Sequence, residues 1–96
     1  MFTRCGSILR NKKLTLSRPF EKLFERLPKN IRETAYDKLD LFLNNHSNPS
    51  LRIKPVKGTK GIWEMSVTMK YRITFEVLEE EVYLRRIGTH DILDQP

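Results

Sequence analysis

The sequence predicts an α+β domain in which two N-terminal antiparallel helices pack on a small, mainly antiparallel four-stranded sheet. Two patterns indicate this class. Apolar residues recur at helical spacing between residues 20 and 43, and they fall on every second position from residue 63 onward. A chain of 96 residues has room for one domain with one modest core. The predicted order of elements is therefore β-α-α-β-β-β.

The first strand and the first helix follow each other directly. Residues 13–16 are a predicted strand, because Leu14 and Leu16 alternate with polar neighbours in a β-prone segment. Ser17 is a predicted N-cap, and Pro19 is tolerated in the first turn of a helix. The helix that follows has one apolar stripe at spacings i, i+3, i+4 and i+7, formed by Phe20, Leu23, Phe24 and Leu27.

The second helix is predicted from about residue 29 to residue 45. Pro28 ends the first helix and can open the second, since proline costs little at a helix start. The turn-forming cluster at residues 44–50 ends the second helix. Residues 51–56 are predicted to be extended, because the residue before a proline avoids the helical region. The buried stripe of this helix is predicted to be Ile31, Ala35, Leu39, Phe42 and Leu43.

The last three strands are predicted from the alternation that begins at Trp63. Within residues 71–77, Arg72, Thr74 and Glu76 point away from the apolar side chains, because successive side chains alternate across a strand. We call the face that carries these three residues, opposite the predicted helices, the open face. The predicted connections are hairpins at residues 68–70 and 79–81 and a closing turn at residues 88–90.

The net charge of +6 is unevenly distributed along the chain. Residues 1–30 carry a net charge of +6 and residues 51–72 carry +5, whereas residues 73–96 carry −4. This distribution is typical of a protein with a polyanionic partner, although solubility alone would also explain it. Residues 1–12 are a basic arm that we expect to be flexible, so the predicted domain spans residues 13–96.

The cysteine and histidine content limits the possible sites. Cys5 is the only cysteine, so no internal disulfide can form. One cysteine and two histidines, His46 and His90, also make a structural zinc site implausible. No stretch has the apolar length of a signal peptide or a transmembrane helix. We therefore expect a cytoplasmic protein without a metal, a cofactor or a membrane partner.

Five short motifs follow one another along the chain: FEKLF with LP at residues 20–28, NPSLR at 48–52, KG with GIW at 57–63, YRITF at 71–75 and IGTHDIL at 87–93. In this order they resemble the RelE/ParE superfamily of bacterial toxins, in particular its YafQ-like and RelE-like branch. The resemblance runs from about residue 13 to residue 93. It implies a toxin of a type II toxin–antitoxin system that cleaves messenger RNA at the ribosome. It further implies a monomeric toxin that a cognate antitoxin silences in a complex.

The resemblance implies roles for four positions. Arg72 matches a strand arginine that contacts the scissile phosphate, and His90 matches a histidine or arginine that acts as general acid. Arg86 matches an arginine four residues before that position in some members. Lys54 stands where the YafQ-like branch has a histidine.

Three positions depart from the pattern of the family. Glu64 and Ser66 stand where RelE-like members have two lysines, and Asp94 replaces an aromatic residue that stacks on a base. The general base therefore stays open between Glu64 and a neutral Lys54. The departures are also compatible with a degraded member that only binds its antitoxin.

The residue types themselves fit RNA cleavage by attack of the 2′-hydroxyl. An arginine stays charged and binds phosphate oxygens in pairs, and a histidine exchanges a proton near neutral pH. Two simpler interpretations remain, in which Arg72 is a solvated sheet residue and His90 bonds its own backbone in a turn. Strict alternation places Arg86 on the face of Val82 and Leu84, so Arg86 reaches the open face only if its strand ends or bulges there.

Basic residues around this set predict loose contacts with phosphates, which carry no sequence information. Arg85 is the alternative to Arg86 within the site. The predicted RNA-binding residues are Arg52, Lys57, Lys60, Lys70 and Arg85.

A second function is compatible with the same resemblance. ParE-like members bind DNA gyrase and perform no chemistry. They generally lack a histidine in the tail, so the segment Gly88-Thr89-His90 favours the ribonuclease over the gyrase inhibitor.

Overall fold

The computed structural model describes residues 13–96, which form two helices on one face of a five-stranded sheet. The predicted basic arm at residues 1–12 and Cys5 lie outside the described residues. The strands are β1 Lys13–Leu16, β2 Lys54–Pro55, β3 Trp63–Ser66, β4 Tyr71–Val77 and β5 Glu81–Thr89. The helices are α1 Arg18–Glu25 and α2 Lys29–Asn44, with short 3₁₀ helices at Pro49–Leu51 and His90–Asp94.

The sheet has the order β1-β5-β4-β3-β2, with β1 parallel to β5 and the other pairs antiparallel. The predicted fold class, two helices on a mainly antiparallel sheet, is confirmed. The predicted count of four strands is wrong by one. Part of the segment predicted only as extended pairs with β3, Lys54 opposite Glu64 and Pro55 opposite Trp63, and forms a two-residue edge strand.

Ser17 joins the start of α1 to the centre of the sheet. As the predicted N-cap, its Oγ accepts a hydrogen bond from the Phe20 N–H at 3.1 Å. The same hydroxyl donates to the carbonyl oxygen of Arg85 in β5 at 2.6 Å, and the Ser17 N–H donates to the Leu84 carbonyl at 3.0 Å. Ser17 therefore caps α1 and also anchors it to β5, the strand that carries Arg85 and Arg86.

The core lies between the helices and the inner face of the sheet. The rings of Phe42 in α2 and Phe75 in β4 meet edge to face, with centroids 5.0 Å apart, in a favourable aromatic geometry. Leu41 and Leu43 pack partly buried at the margin of this core. Its fully buried members include Phe20, Ala35, Phe42, Leu51, Met65, Ile73, Phe75, Leu84 and Ile87.

The predicted closing turn at residues 88–90 is wrong. Gly88 and Thr89 remain in β5, where they pair with Arg72 and Tyr71 of β4. The chain leaves the sheet only at His90, which begins a 3₁₀ helix. The second predicted hairpin connection is shifted as well, because residue 81 already belongs to β5 and pairs with residue 13 in β1.

Gly88 allows the 3₁₀ helix to pack closely on the strand that precedes it. A Cβ atom at Gly88 would lie 2.9 Å from Cγ2 of Ile92, well inside ordinary carbon–carbon contact. The missing side chain thus lets the segment after β5 lie back over the sheet.

Candidate active site on the open face

One row of side chains crosses the open face from β2 to β5. In the strand register, Lys54 lies opposite Glu64, Glu64 lies opposite Thr74, and Thr74 lies opposite Arg86. Residues that lie directly opposite each other in a sheet share a face, so these four side chains form a continuous row. Three of the five predicted catalytic residues therefore belong to this row: Lys54 and Glu64 are neighbours, and Thr74 separates Glu64 from Arg86.

A second row next to it holds the predicted phosphate-binding arginine. Ser66 pairs with Arg72, and Arg72 pairs with Gly88. The Arg72 Nη1 donates a hydrogen bond to Ser66 Oγ at 2.5 Å, and its Nε lies 3.5 Å from Oε1 of Glu64. The Arg72 side chain is 20% exposed. The guanidinium is thus held in one place and still reaches solvent.

The two candidates for the general base have different surroundings. Glu64 is only 4% exposed and its carboxylate faces Arg72. Lys54 is exposed at the edge of the sheet. Arg72 holds the buried Glu64 carboxylate in position, whereas the exposed Lys54 amine is accessible to a large substrate.

A β-bulge brings two consecutive arginines to the open face. Thr74 pairs with Arg86 and the next residue, Phe75, pairs with Leu84, so Arg85 is an extra residue in β5. An extra residue interrupts strict alternation. The condition under which Arg86 reaches the open face is therefore met in the structure. Arg85 lies there too, since its Nη1 is 2.5 Å from Oε1 of Glu76.

The two arginines differ in their partners. The Arg85 Nε donates to the carbonyl oxygen of Pro96 at 3.0 Å, in addition to its ion pair with Glu76. The half-buried guanidinium of Arg86 has no hydrogen-bond or ion-pair partner within residues 13–96. Arg86, like the exposed Lys54, is therefore a cation of the first row without a partner among these residues.

His90 lies beyond the end of the second row. It is exposed, and it follows Thr89, which pairs with the residue before Arg72. Its side chain forms no hydrogen bond with the described residues. A turn histidine that bonds its own backbone is therefore not what the structure contains.

A basic cleft of about 280 Å³ leads away from Arg72. It includes the predicted RNA-binding residue Arg52, which has a left-handed backbone with φ of 49°. It also includes Lys38 of α2, a residue that is not among the predicted RNA-binding residues. Lys38 lines the cleft because α2 lies near the hairpin after β3, and the sequence pattern does not show this proximity. The other lining residues are Ser50, Ser66, Val67, Thr68 and Met69.

The remaining predicted RNA-binding lysines are exposed in loops. Lys57 and Lys60 lie in the connection between β2 and β3, where Gly58 and Gly61 have φ of 82° and 80°, a conformation that glycine adopts without strain. Lys70 lies in the hairpin connection directly before β4. None of the three belongs to the two rows.

A separate apolar groove of about 650 Å³ lies on the helix side, at the edge strand β1. We call it the helix groove. Its apolar walls include Leu16 and Tyr36, which are 43% and 63% exposed. Its charged lining residues are Glu21, Glu25, Arg32 and Asp40, and its other lining residues are Leu14, Phe20, Phe24, Leu39, Leu43 and Leu84.

Neither a metal cluster nor a membrane span is found in the part of the chain that the structure describes. No three His, Cys, Asp or Glu side chains of residues 13–96 are grouped so as to hold a metal ion. No helix in that range is both long and apolar enough to cross a membrane.

Comparison with known proteins identifies the family of the fold. Residues 14–93 match the sequence model of the ParE toxin of type II toxin–antitoxin systems. No curated protein sequence gives a significant match.

Several solved structures with a similar fold are toxins, alone or with their antitoxins. The DinJ–YafQ complex of E. coli matches with a TM-score of 0.73 and 18% identity, over 86% of this chain and 97% of that chain. The RelB–RelE complex of Methanococcus jannaschii matches with a TM-score of 0.67 and 23% identity, over 84% and 95%. A YoeB/ParE toxin from Agrobacterium tumefaciens matches with a TM-score of 0.70 and 18% identity, over 81% and 98%.

Proposed function

The chain belongs to the ParE toxin family of type II toxin–antitoxin systems, and we propose that it is a metal-independent endoribonuclease. It cleaves messenger RNA at the ribosome and thereby inhibits translation. The observation that carries this proposal is the open face itself. Arg72 and the unpaired Arg86 occupy adjacent rows, and the exposed His90 follows two residues after Gly88, which lies opposite Arg72. In this proposal the arginines bind phosphate and the histidine donates a proton.

The proposed reaction is attack of the ribose 2′-hydroxyl on the adjacent phosphorus. The 2′-oxygen loses its proton and forms a bond to phosphorus, the bond to the 5′-oxygen breaks, and the 5′-oxygen receives a proton. Arg72 binds the phosphate as its charge grows in the transition state. His90 donates the proton to the 5′-oxygen.

The ion pair between Arg72 and Glu64 supports a shared role in the first half of the reaction. When a phosphate engages Arg72, the Glu64 carboxylate, 3.5 Å from its Nε, becomes free to accept a hydrogen bond. In this proposal it takes the proton from the 2′-hydroxyl. Lys54, next to Glu64 in the same row, is the alternative base.

The RNA follows the basic surface around the two rows. Lys38 and Arg52 line the cleft that begins at Arg72, and their charges attract phosphates without reading sequence. Lys57 and Lys60 extend the basic surface on the β2 side of the sheet. Contacts of this kind position the RNA, and Arg72, Glu64 and His90 act on the scissile linkage.

An antitoxin is the expected protein partner, since the matched YafQ and RelE structures are complexes with DinJ and RelB. The helix groove offers a large apolar surface beside the free edge of β1. Three carboxylates, Glu21, Glu25 and Asp40, line it against the single cation Arg32. We therefore place there an antitoxin segment with apolar side chains and basic flanks.

The decisive experiment is primer extension on a message that is being translated, with and without the protein. Wild-type protein produces new 5′ ends, and the Arg72→Ala variant produces few. Lys29→Ala is the matched control, because it removes an exposed cation from the helix side. New ends that appear equally with Arg72→Ala would refute the assignment of the site.

Inhibition of DNA gyrase is the second candidate function. It is favoured by the ParE family match, and the engagement of Glu64 with Arg72 is compatible with a face that performs no chemistry. A supercoiling assay separates the two functions. Loss of supercoiling without RNA cleavage establishes the gyrase inhibitor, and the absence of both, with antitoxin binding retained, establishes a degraded member.

A further inference from the structure

The segment after β5 lies back over the open face, and we call residues 90–96 the C-terminal strap. Its 3₁₀ helix packs where Gly88 has no side chain. Its last residue, Pro96, reaches Thr74 in the middle of the first row. The strap therefore covers part of the surface to which the proposed function assigns RNA.

Two side-chain donors converge on a single oxygen of the strap. Thr74 Oγ1 donates to the Pro96 carbonyl oxygen at 3.1 Å, and Arg85 Nε donates to the same oxygen at 3.0 Å. Thr74 is fully buried, with an exposed fraction of 0%. A buried hydroxyl and a guanidinium that point to one acceptor form a site for an oxygen with negative charge.

Two arginines lie close to this oxygen. Arg86 is the neighbour of Thr74 in the first row, and it lines the same small cavity as Arg85 and Pro96. Arg85 is paired with Glu76, but Arg86 has no partner within residues 13–96. A second guanidinium, that of Arg86, is therefore available beside the main-chain oxygen of Pro96.

We propose that Thr74, Arg85 and Arg86 form a phosphate subsite for RNA, and that the carbonyl oxygen of Pro96 occupies it in the free protein. The inference rests on the proposed function in that the phosphate is one of the RNA backbone. The subsite lies one row from Arg72, so it takes a phosphate next to the scissile one. RNA binding displaces Gln95 and Pro96, so the C-terminal strap competes with RNA for the subsite.

The test measures binding separately from cleavage. The probe is a short 2′-O-methyl oligoribonucleotide, which lacks the attacking hydroxyl and cannot be cut. Its affinity is measured against salt concentration for the full chain and for a variant that ends at Asp94. Without Gln95 and Pro96, we expect roughly tenfold tighter binding, the order expected from releasing two hydrogen bonds. The slope of log affinity against log salt should steepen by about 0.7, the value of one extra phosphate contact on a single strand.

Substitutions within the shortened chain identify the subsite. Thr74→Val and Arg85→Gln remove the two donors, and each should abolish most of the gain. Glu76→Gln is the matched control, because it breaks the ion pair of Arg85 but leaves both donors in place, and it should keep the gain. Melting curves of all variants show that each is folded. An oligonucleotide with a neutral methylphosphonate backbone should show no gain.

The outcomes separate this proposal from the proposed function. Tighter binding by the shortened chain, with no cleavage of a translated message by any variant, supports the subsite and rejects the ribonuclease. Cleavage by the full chain, with no gain on shortening, rejects the subsite and leaves the ribonuclease intact. A gain that survives Thr74→Val and Arg85→Gln also overturns the subsite.

Discussion

Substitution of Gly88 by alanine tests whether the position of His90 matters for activity. The added Cβ would lie 2.9 Å from Ile92 Cγ2. Carbon atoms in contact prefer about 3.5–4.0 Å, so Ile92 must move by roughly 1 Å. Because Ile92 and His90 share one short 3₁₀ helix, the displacement is passed to the histidine.

The expected effects on stability and on activity differ in size. Overpacking of this kind costs about 1–3 kcal/mol, and replacing a strand glycine by alanine recovers about 0.5–1 kcal/mol. The net loss, roughly 0–2.5 kcal/mol, leaves a domain with about 5–15 kcal/mol of stability folded. A misplacement of about 1 Å, by contrast, can lower a catalytic rate by about 100-fold.

The assay compares the rate of message cleavage with the melting temperature of the same preparations. Gly88→Ala should cleave up to about 100-fold more slowly while it melts only several degrees lower. The double variant Gly88→Ala/Ile92→Ala removes the contact and should recover most of the rate. The Ile92→Ala single variant serves as the control for the lost side chain. Wild-type cleavage by Gly88→Ala, or no recovery in the double variant, would refute the reasoning.

Three further predictions concern individual side chains. His90→Gln retains hydrogen-bonding capacity but cannot exchange a proton near neutral pH, so cleavage should fall by roughly 10²–10⁴-fold, with little change in melting temperature because the side chain is exposed; an unchanged rate would make the histidine structural. Arg72→Ala should lower cleavage by a similar factor, roughly 10²–10³-fold, measured by primer extension, and antitoxin co-purification should persist; loss of both would indicate a folding defect instead. Lys57→Gln/Lys60→Gln should flatten the salt dependence of RNA binding by about 0.7 per lost contact, and an unchanged slope would assign these charges to solubility.

The elements that local sequence determines were predicted well. Ser17 was identified as the cap of the first helix, because a hydroxyl before a proline and an apolar stripe is a local signal. The second helix ends one residue earlier than predicted. The fold class was predicted from the periodicity of apolar residues, because this pattern is local and does not depend on distant residues.

The features that depend on distant partners were missed or left conditional. The strand character of Lys54 exists only through its pairing with Glu64. The bulge at Arg85 is a property of the register between β4 and β5. The carbonyl oxygen of Arg85 accepts a hydrogen bond from Ser17, which is 68 residues away in the sequence. The strap contact of Pro96 likewise depends on Thr74, 22 residues away. No alternation pattern contains this information.

The place of β5 in the sheet sets the order in which the molecule can be completed during synthesis. This strand lies between β1 and β4, yet it is made after both. While the ribosome is still adding the residues before Glu81, β1 lacks the strand β5 with which it pairs, and the growing chain contains Glu64 and Arg72 without Arg86 or His90. Long-range pairing of this kind is slow to form. Under the proposed function, the chain cannot act on the ribosome that makes it before β5 and His90 have been added.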